Sequence, residues 1–331
     1  LLSPFGSEDA YLAKESLDAR KSPRLTENAE AKLVQSEEIP WYLSQLTPEE
    51  TQTLEALLTQ EQTPIHPEVR AVVIIPTSQL GTSQIYQKLS SYTNQTNADG
   101  TPLSPHKVEY VVYDAKVTPP EGSVSKDLPA DTKAEVDRFL TDHPDQKVVY
   151  VTHTYDQSPS RGNVKRDMTN FALSRIGTLP SDAPDVAIIT DNGTAQPIQP
   201  TYISSAMDAL DANPALDMVS GSYELPKVAL EQYPKLFAQH RAFEVMDSLV
   251  RHGDAEHVPG VYSGNVGVRA ATLAGVGGYN EQSQVGEDRE LAWMVRNARG
   301  NADTMTVLPT LTATLDPKDT VYANLQRLGL A

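Results

Sequence analysis

Arg70–Ser78 reads RAVVIIPTS, and its texture points to the fold. A continuous apolar, β-branched run closed by Pro76 suits a strand covered on both faces, because a strand with one wet face would alternate polar and apolar positions. Working outward, KVEYVVYDA (Lys107–Ala115), KVVYVTHT (Lys147–Thr154) and PDVAIITDNG (Pro184–Gly193) have the same character. Helical patterns separate them: Ser83–Tyr92, Asp131–Asp142 with Ala134, Val136, Phe139 and Leu140 for its buried side, and KRDMTNFALSRI (Lys165–Ile176). Strands alternating with helices predict an α/β domain of βαβ units, with a mostly parallel central sheet and flanking helices. Ligands of such sheets meet the carboxyl ends of the strands, where Thr77, Asp114 and Asp191 fall. Two polar stretches rich in Gly or Pro, Ser91–His106 and Val117–Asp131, read as surface loops.

The chain divides into an N-terminal segment (residues 1–67), the α/β domain (68–315) and a tail (316–331). In the first, TPEETQTLEALLTQ (Thr47–Gln60) predicts a short amphipathic helix. Thr47 is placed to cap it, Pro48 sits at the first helical position and Glu50 completes a capping box. Leu54, Leu57 and Leu58 supply its stripe, and Trp41 and Tyr42 are candidate packing anchors. The segment is expected to be accessory, outside any nucleotide site.

Composition excludes several classes. The net charge of −17 and the lack of a basic run argue against nucleic acid as a partner. There are no cysteines, which removes disulfides, thiolate nucleophiles and thiolate metal sites and is compatible with a cytoplasmic location. No apolar stretch is long enough to span a membrane as a helix. The exit of the first strand, PTSQLGTS, has neither GxGxxG nor GxxxxGK, and neither HExxH nor GxSxG occurs.

The candidate functional residues are few. Asp191 follows a buried strand and is a sensible ligand for a hard cation such as Mn2+ or Mg2+, alongside Asn192. As Asp-Asn-Gly it is also an ordinary turn. Asp114 could accept from a base or ribose, or cap a loop. Arg166, near the front of a helix, suits a phosphate or a solvated face equally. Glu287 and Asp288 open GEDRELAWMV, where acidic residues favour the helix dipole and where Asp288 could also serve as a general base. The seven histidines show no ligand spacing.

Together these residues resemble the family 2 nucleotide-sugar glycosyltransferases of the GT-A fold. VRAVVIIPTS is similar to the family's first strand, ending in Pro76 and Thr77. GNVKRDMTNFALSRI resembles a segment in which glycine precedes an alanine-arginine-asparagine triplet; Arg166 matches the arginine, while Lys165 and Asp167 replace its neighbours. IITDNG stands where the family carries an Asp-x-Asp metal motif. Either Asp191 takes the first position with Gly193 at the second, or Thr190 and Asn192 take them; at least one carboxylate is missing in either register. The longest match is SGNVGVRAATLAGVGGYNEQSQVGEDRELAWMV (Ser263–Val295), with Gly264, Arg269, Gly277, Gly278, Tyr279, Glu287 and Asp288 in place.

The resemblance implies a nucleoside-diphosphate sugar as donor and a hydroxyl-bearing acceptor of unknown identity. It implies a nucleoside site near Pro76, Thr77, Asp114 and Arg166, and a divalent cation (Mn2+ or Mg2+) on Asp191 and Asn192. Asp288, supported by Glu287, would be the catalytic base of an inverting displacement. Two alternatives stand beside it: a catalytically impaired nucleotide-sugar-binding or interaction protein, and a sugar nucleotidyltransferase, for which the glycine-rich loop with a lysine is missing.

Overall fold

The computed structural model describes residues 20–78, 85–118, 131–191, 195–197, 199–224, 265–283, 287–300 and 304–315. Helices α1 (Pro23–Glu27), α2 (Gln35–Ser44) and α3 (Pro48–Leu58) precede the sheet. Then come β1 (Ala71–Ser78), α4 (Ile85–Thr93), β2 (Val108–Val117), α5 (Thr132–Asp142), β3 (Val148–Tyr155), α6 (Arg161–Ile176) and β4 (Ala187–Asp191). The second half holds β5 (Ala195–Pro197), α7 (Tyr202–Ala212), β6 (Met218–Glu224), β7 (Asn265–Arg269), α8 (Ala270–Gly275), α9 (Glu287–Arg299) and β8 (Met305–Leu315).

The strands form one 8-stranded sheet in the order β3-β2-β1-β4-β7-β6-β8-β5. β3, β2, β1 and β4 run parallel, which places Thr77 opposite Asp114 and Asp114 opposite Thr152. β7 joins β4 antiparallel, with Asp191 opposite Asn265. β6 and β8 pair in parallel, with a register irregularity between Ser220 and Ser222. The sheet is therefore mixed and mostly parallel. The parallel half is the part predicted from the apolar runs, while β6 and β8 extend it with segments whose Ser-Gly-Ser and internal Pro309 hide a strand pattern.

Both faces of the sheet are covered, as the unbroken apolar runs require. One face carries Ala71, Val73, Ile75, Val112 and Ile189 against α4, α5 and α7. The other carries Val72, Ile74, Val111 and Ile188 against α6, α8, α9 and the N-terminal helices. In α5 the buried residues are Thr132, Val136 and Phe139; Ala134, expected on the buried side, is exposed because the helix turns that position outward. Helix α6 begins four residues ahead of the predicted Lys165, capped by the Ser160 side chain. Helix α4 runs to Thr93, so the predicted loop from Ser91 starts inside it. Most of the other predicted loop, Val117–Asp131, lies outside the described residues, as do the tail 316–331 and Asn192, Gly193 and Gly264.

The expected helix at Thr47 is present as α3, and its capping box is complete: Glu50 N donates to Thr47 Oγ1 at 3.2 Å and Thr47 N to Glu50 Oε2 at 2.7 Å. The segment packs on the α/β domain. Ile39, Tyr42, Leu54 and Leu57 share one apolar cluster with Ile74, Val111 and Phe171. Tyr42 proves an anchor, donating to Asn170 Oδ1 at 2.6 Å, whereas Trp41 is only partly buried. Helix α2 was not anticipated, because Pro40 lies inside it; in so short a helix few backbone bonds are lost.

Two glycines are required by close approach. At Gly278, φ is +76° and a Cβ would lie 2.4 Å from the Tyr42 hydroxyl. At Gly162 a Cβ would lie 1.9 Å from the Asn280 carbonyl oxygen, because the turn after Tyr279 is laid on the first turn of α6, where Gly162 N donates to Ser283 O at 2.8 Å. Gly162→Ala must push that turn away, and a destabilisation of about 1–3 kcal/mol is expected from such overpacking. Urea unfolding of the variant measures it; an unchanged midpoint would show that the turn yields freely.

Candidate active site

Strand alternation sorts the candidate residues onto two faces at the carboxyl edge of the sheet. Thr77 continues the row of Val73 and Ile75, Asp114 that of Tyr110 and Val112, and Asp191 that of Ala187 and Ile189. These three belong to the α4–α5–α7 face. Pro76 and Thr190 fall on the opposite one, the face of α6 and α9.

On the first face, Thr77 Oγ1 donates to Asp114 Oδ1 at 2.9 Å and the Tyr150 hydroxyl to Oδ2 at 2.7 Å. Lys116 Nζ lies 3.5 Å from Oδ2 and is partly exposed. Burial and the bond to Asp114 both push the Tyr150 phenol upward, so it stays a donor. The structure thus joins Thr77 to Asp114, and adds Tyr150, which carried no sequence signal beyond its place in an apolar strand.

Asp191 is wholly buried. Lys88 Nζ donates to Oδ1 at 2.8 Å, and the Tyr92 hydroxyl donates to Oδ2. Burial pushes the Lys88 ammonium pKa down, against the opposing pull of Asp191. A dication at Asp191 would sit beside the Lys88 ammonium, and each carboxylate oxygen already accepts a bond. Among the described residues no three acidic or histidine side chains converge as a metal site. The residues present do not fit the divalent cation that the sequence resemblance implied, and Asn192 lies outside the described residues.

On the opposite face, Asp288 at the start of α9 comes to the end of β4. Its Oδ1 accepts from the Tyr279 hydroxyl at 2.7 Å and faces Thr190 Oγ1 at 3.4 Å. Lys165 Nζ donates to Oδ2 and lies 3.2 Å from Glu287 Oε1. Burial lowers the Lys165 pKa, but Asp288 and Glu287 together outweigh it and the net shift is upward. The Tyr279 phenol is raised by burial and by Asp288. Lys165, read in the sequence only as a departure from the family triplet, is thus the partner of both acidic residues.

Arg166 does not join Thr77 and Asp114. It is 1% exposed, on the α6 face, where Nε donates to Glu50 and Nη1 donates to the carbonyls of Gly277 at 2.9 Å and Tyr279 at 2.7 Å. Its guanidinium lies 5.8 Å from the Tyr42 ring centroid. A guanidinium held this way ties α6 to α3 and to the Gly277–Tyr279 turn, on the face of the sheet away from Thr77 and Asp114.

Asp167, the other departure from the triplet, accepts from the Tyr155 hydroxyl at 2.7 Å. Burial raises its carboxyl from 3.8 to about 6. An acid whose folded pKa is raised favours the native state at low pH. That contribution is full below the unfolded value and is lost as pH rises through about 6. Asp167→Asn keeps an acceptor for Tyr155 and removes the buried charge, so it should stabilise by about 1–3 kcal/mol at pH 7.5 and by much less at pH 4. Urea titrations at the two pH values check this; an equal effect at both would remove the titration from the account.

The fold is that of the GT-A nucleotide-diphospho-sugar transferases: a mixed, mostly parallel sheet between helical layers, with the candidate residues along its carboxyl edge. A mannosyltransferase from Pyrobaculum calidifontis, solved in complex with GDP-Man and Mn2+, is similar with a TM-score of 0.51 and 19% identity, over 88% of this chain and 72% of that one. Glucosyl-3-phosphoglycerate synthase from Mycobacterium tuberculosis, in complex with Mn2+, UDP and phosphoglyceric acid, gives a TM-score of 0.43 and 14% identity over 84% and 78% of the two chains. No family model and no curated protein matches the chain. Among the described residues no helix is long and apolar enough to cross a membrane.

Proposed function

We propose that this chain is a family 2 type glycosyltransferase, moving a sugar from a nucleoside-diphosphate sugar to a hydroxyl acceptor with inversion. The observation that supports this most is the meeting of Asp288 with Thr190 at the carboxyl end of β4 in a GT-A fold. It sets a carboxylate beside the edge where such sheets bind ligands. The base and ribose lie along Thr77 and Asp114, with Pro76 at the end of the same strand. The acceptor oxygen forms its bond to the anomeric carbon as the bond to the diphosphate breaks, and its proton passes to Asp288. Tyr279 and Lys165 already donate to the two oxygens of Asp288, so the acceptor hydroxyl must displace one of them. Glu287 holds Lys165 while that exchange takes place.

A second reading is a protein that binds the nucleotide sugar without turning it over. It is favoured by Asp191 and Asp288 each being fully buried in an ion pair with a buried lysine.

Calorimetric titration with GDP-mannose and UDP-glucose, followed by assay of nucleoside-diphosphate release, separates the readings. Binding with release supports the enzyme, binding without release over many hours supports the second reading, and the absence of binding to any nucleotide sugar would remove both.

A further inference from the structure

Helix α4 carries its buried residues at Ile85, Lys88, Leu89 and Tyr92, the spacing of one helical stripe. Lys88 therefore occupies a core position, where an ammonium is costly to bury without a charged partner. Its side chain is 5% exposed and its partner, Asp191, is 0% exposed. Asp191 stands where GT-A relatives are expected to hold a metal beside the donor diphosphate. In either register the Asp-x-Asp pattern is short of carboxylates: Gly193 stands at its second position, or Thr190 and Asn192 stand at both. The missing carboxylate and the added ammonium change the site's charge in the same direction: negative charge that would hold a dication is lost and positive charge is gained.

We propose that Lys88 is a built-in counter-ion that replaces the divalent cation at Asp191, so that this chain binds its donor's diphosphate without metal. The inference rests on the reading of the chain as a nucleotide-sugar-binding protein and concerns how that site is charged. Lys88 acts as a positioning residue through Asp191. A dication brought to Asp191 would have to displace the ammonium or lie against it, and like charges at that separation in a buried site repel strongly. The other carboxylate oxygen already accepts the Tyr92 hydroxyl.

The test uses GDP and UDP as probes, titrated calorimetrically into the whole chain in Mn2+ and in EDTA. The wild type should bind the better probe with the same affinity in both. A gain of about tenfold or more in Mn2+, of the size usual for coupled ligands, would overturn the proposal. Lys88→Met, one atom shorter and uncharged, should convert the protein to Mn2+-enhanced binding, and the added Asp191→Asn should abolish that enhancement. A merely structural role for Lys88 would not create metal dependence; a Lys88→Met protein that is folded by circular dichroism yet indifferent to Mn2+ would remove Lys88 from the role. If Lys88→Met does not fold, the wild-type comparison alone decides. If neither nucleotide binds, the proposed function fails by itself. Titration of Mn2+ alone, followed by its electron paramagnetic resonance signal, then reads the inference separately: wild-type binding lost in Asp191→Asn would overturn it, and no binding supports it.

Discussion

Asp288→Asn should lower sugar transfer by about 10²–10⁴, the range a general base contributes, while nucleotide binding stays nearly intact. Asparagine keeps the size of the side chain and an acceptor for the Tyr279 hydroxyl, but it cannot take a proton from the attacking oxygen. The fold should tolerate the change, because Lys165 has a second carboxylate in Glu287, whose Oε1 lies 3.2 Å from Nζ. Helix α9 is also anchored independently by Leu291, Met294 and Val295, all buried. Such anchoring matters because a displacement of about 1 Å at a reacting group can reduce the rate about a hundredfold. Transfer to the authentic acceptor is the measurement required, with circular dichroism to show that the variant is folded. Near-normal transfer would place the base elsewhere or exclude the single inverting displacement.

The parallel half of the sheet was legible because each of β1 to β4 is an apolar run too dense for any one-faced strand. The alternation of strands and helices then left few topologies. The other side of the sheet was less legible for a physical reason: β6 passes through Ser220, Gly221 and Ser222 with an irregular register, and β8 contains Pro309. Their place comes from pairing with each other, of β6 with β7 and of β8 with β5, which local composition does not report. The site was legible in its acidic residues, since Asp114 and Asp191 end buried strands and Asp288 opens a helix. Their partners were not. Lys88, Tyr92, Tyr150 and Tyr279 are remote in sequence from the carboxylates they meet, except Tyr279. Lys88 carried one signal that pattern reading could have used, a lysine in the apolar stripe of an amphipathic helix.

Arg166→Ala should destabilise the protein by about 3–5 kcal/mol, the cost of removing one partner of a buried ion pair. Among the described residues Glu50 would keep the bond from Thr47 N and one cation, Arg20, whose Nη1 lies 3.1 Å from Oε1 and which is itself partly exposed. The carbonyls of Gly277 and Tyr279 would lose their shared donor in a dry setting. Burial opposes ionisation of Glu50, but Arg166, the bond from the Thr47 backbone and Arg20 outweigh it and draw its pKa below the usual value, so without Arg166 the charge loses its main support. Glu50→Gln alone retains the capping bond to Thr47 and strands the guanidinium, and should also destabilise. Arg166→Met with Glu50→Gln removes both charges and fills part of the space, so the double variant should be more stable than the sum of the single effects predicts. Urea unfolding of the singles and the double gives the coupling directly. Nucleotide binding by Arg166→Met under folding conditions adds a second readout that separates structure from recognition. An arginine that only ties α6 to α3 and to the Gly277–Tyr279 turn leaves the affinity of the folded protein unchanged. A drop of about a hundredfold in a fully folded variant would instead return Arg166 to the donor's nucleoside site, where the sequence resemblance had placed it.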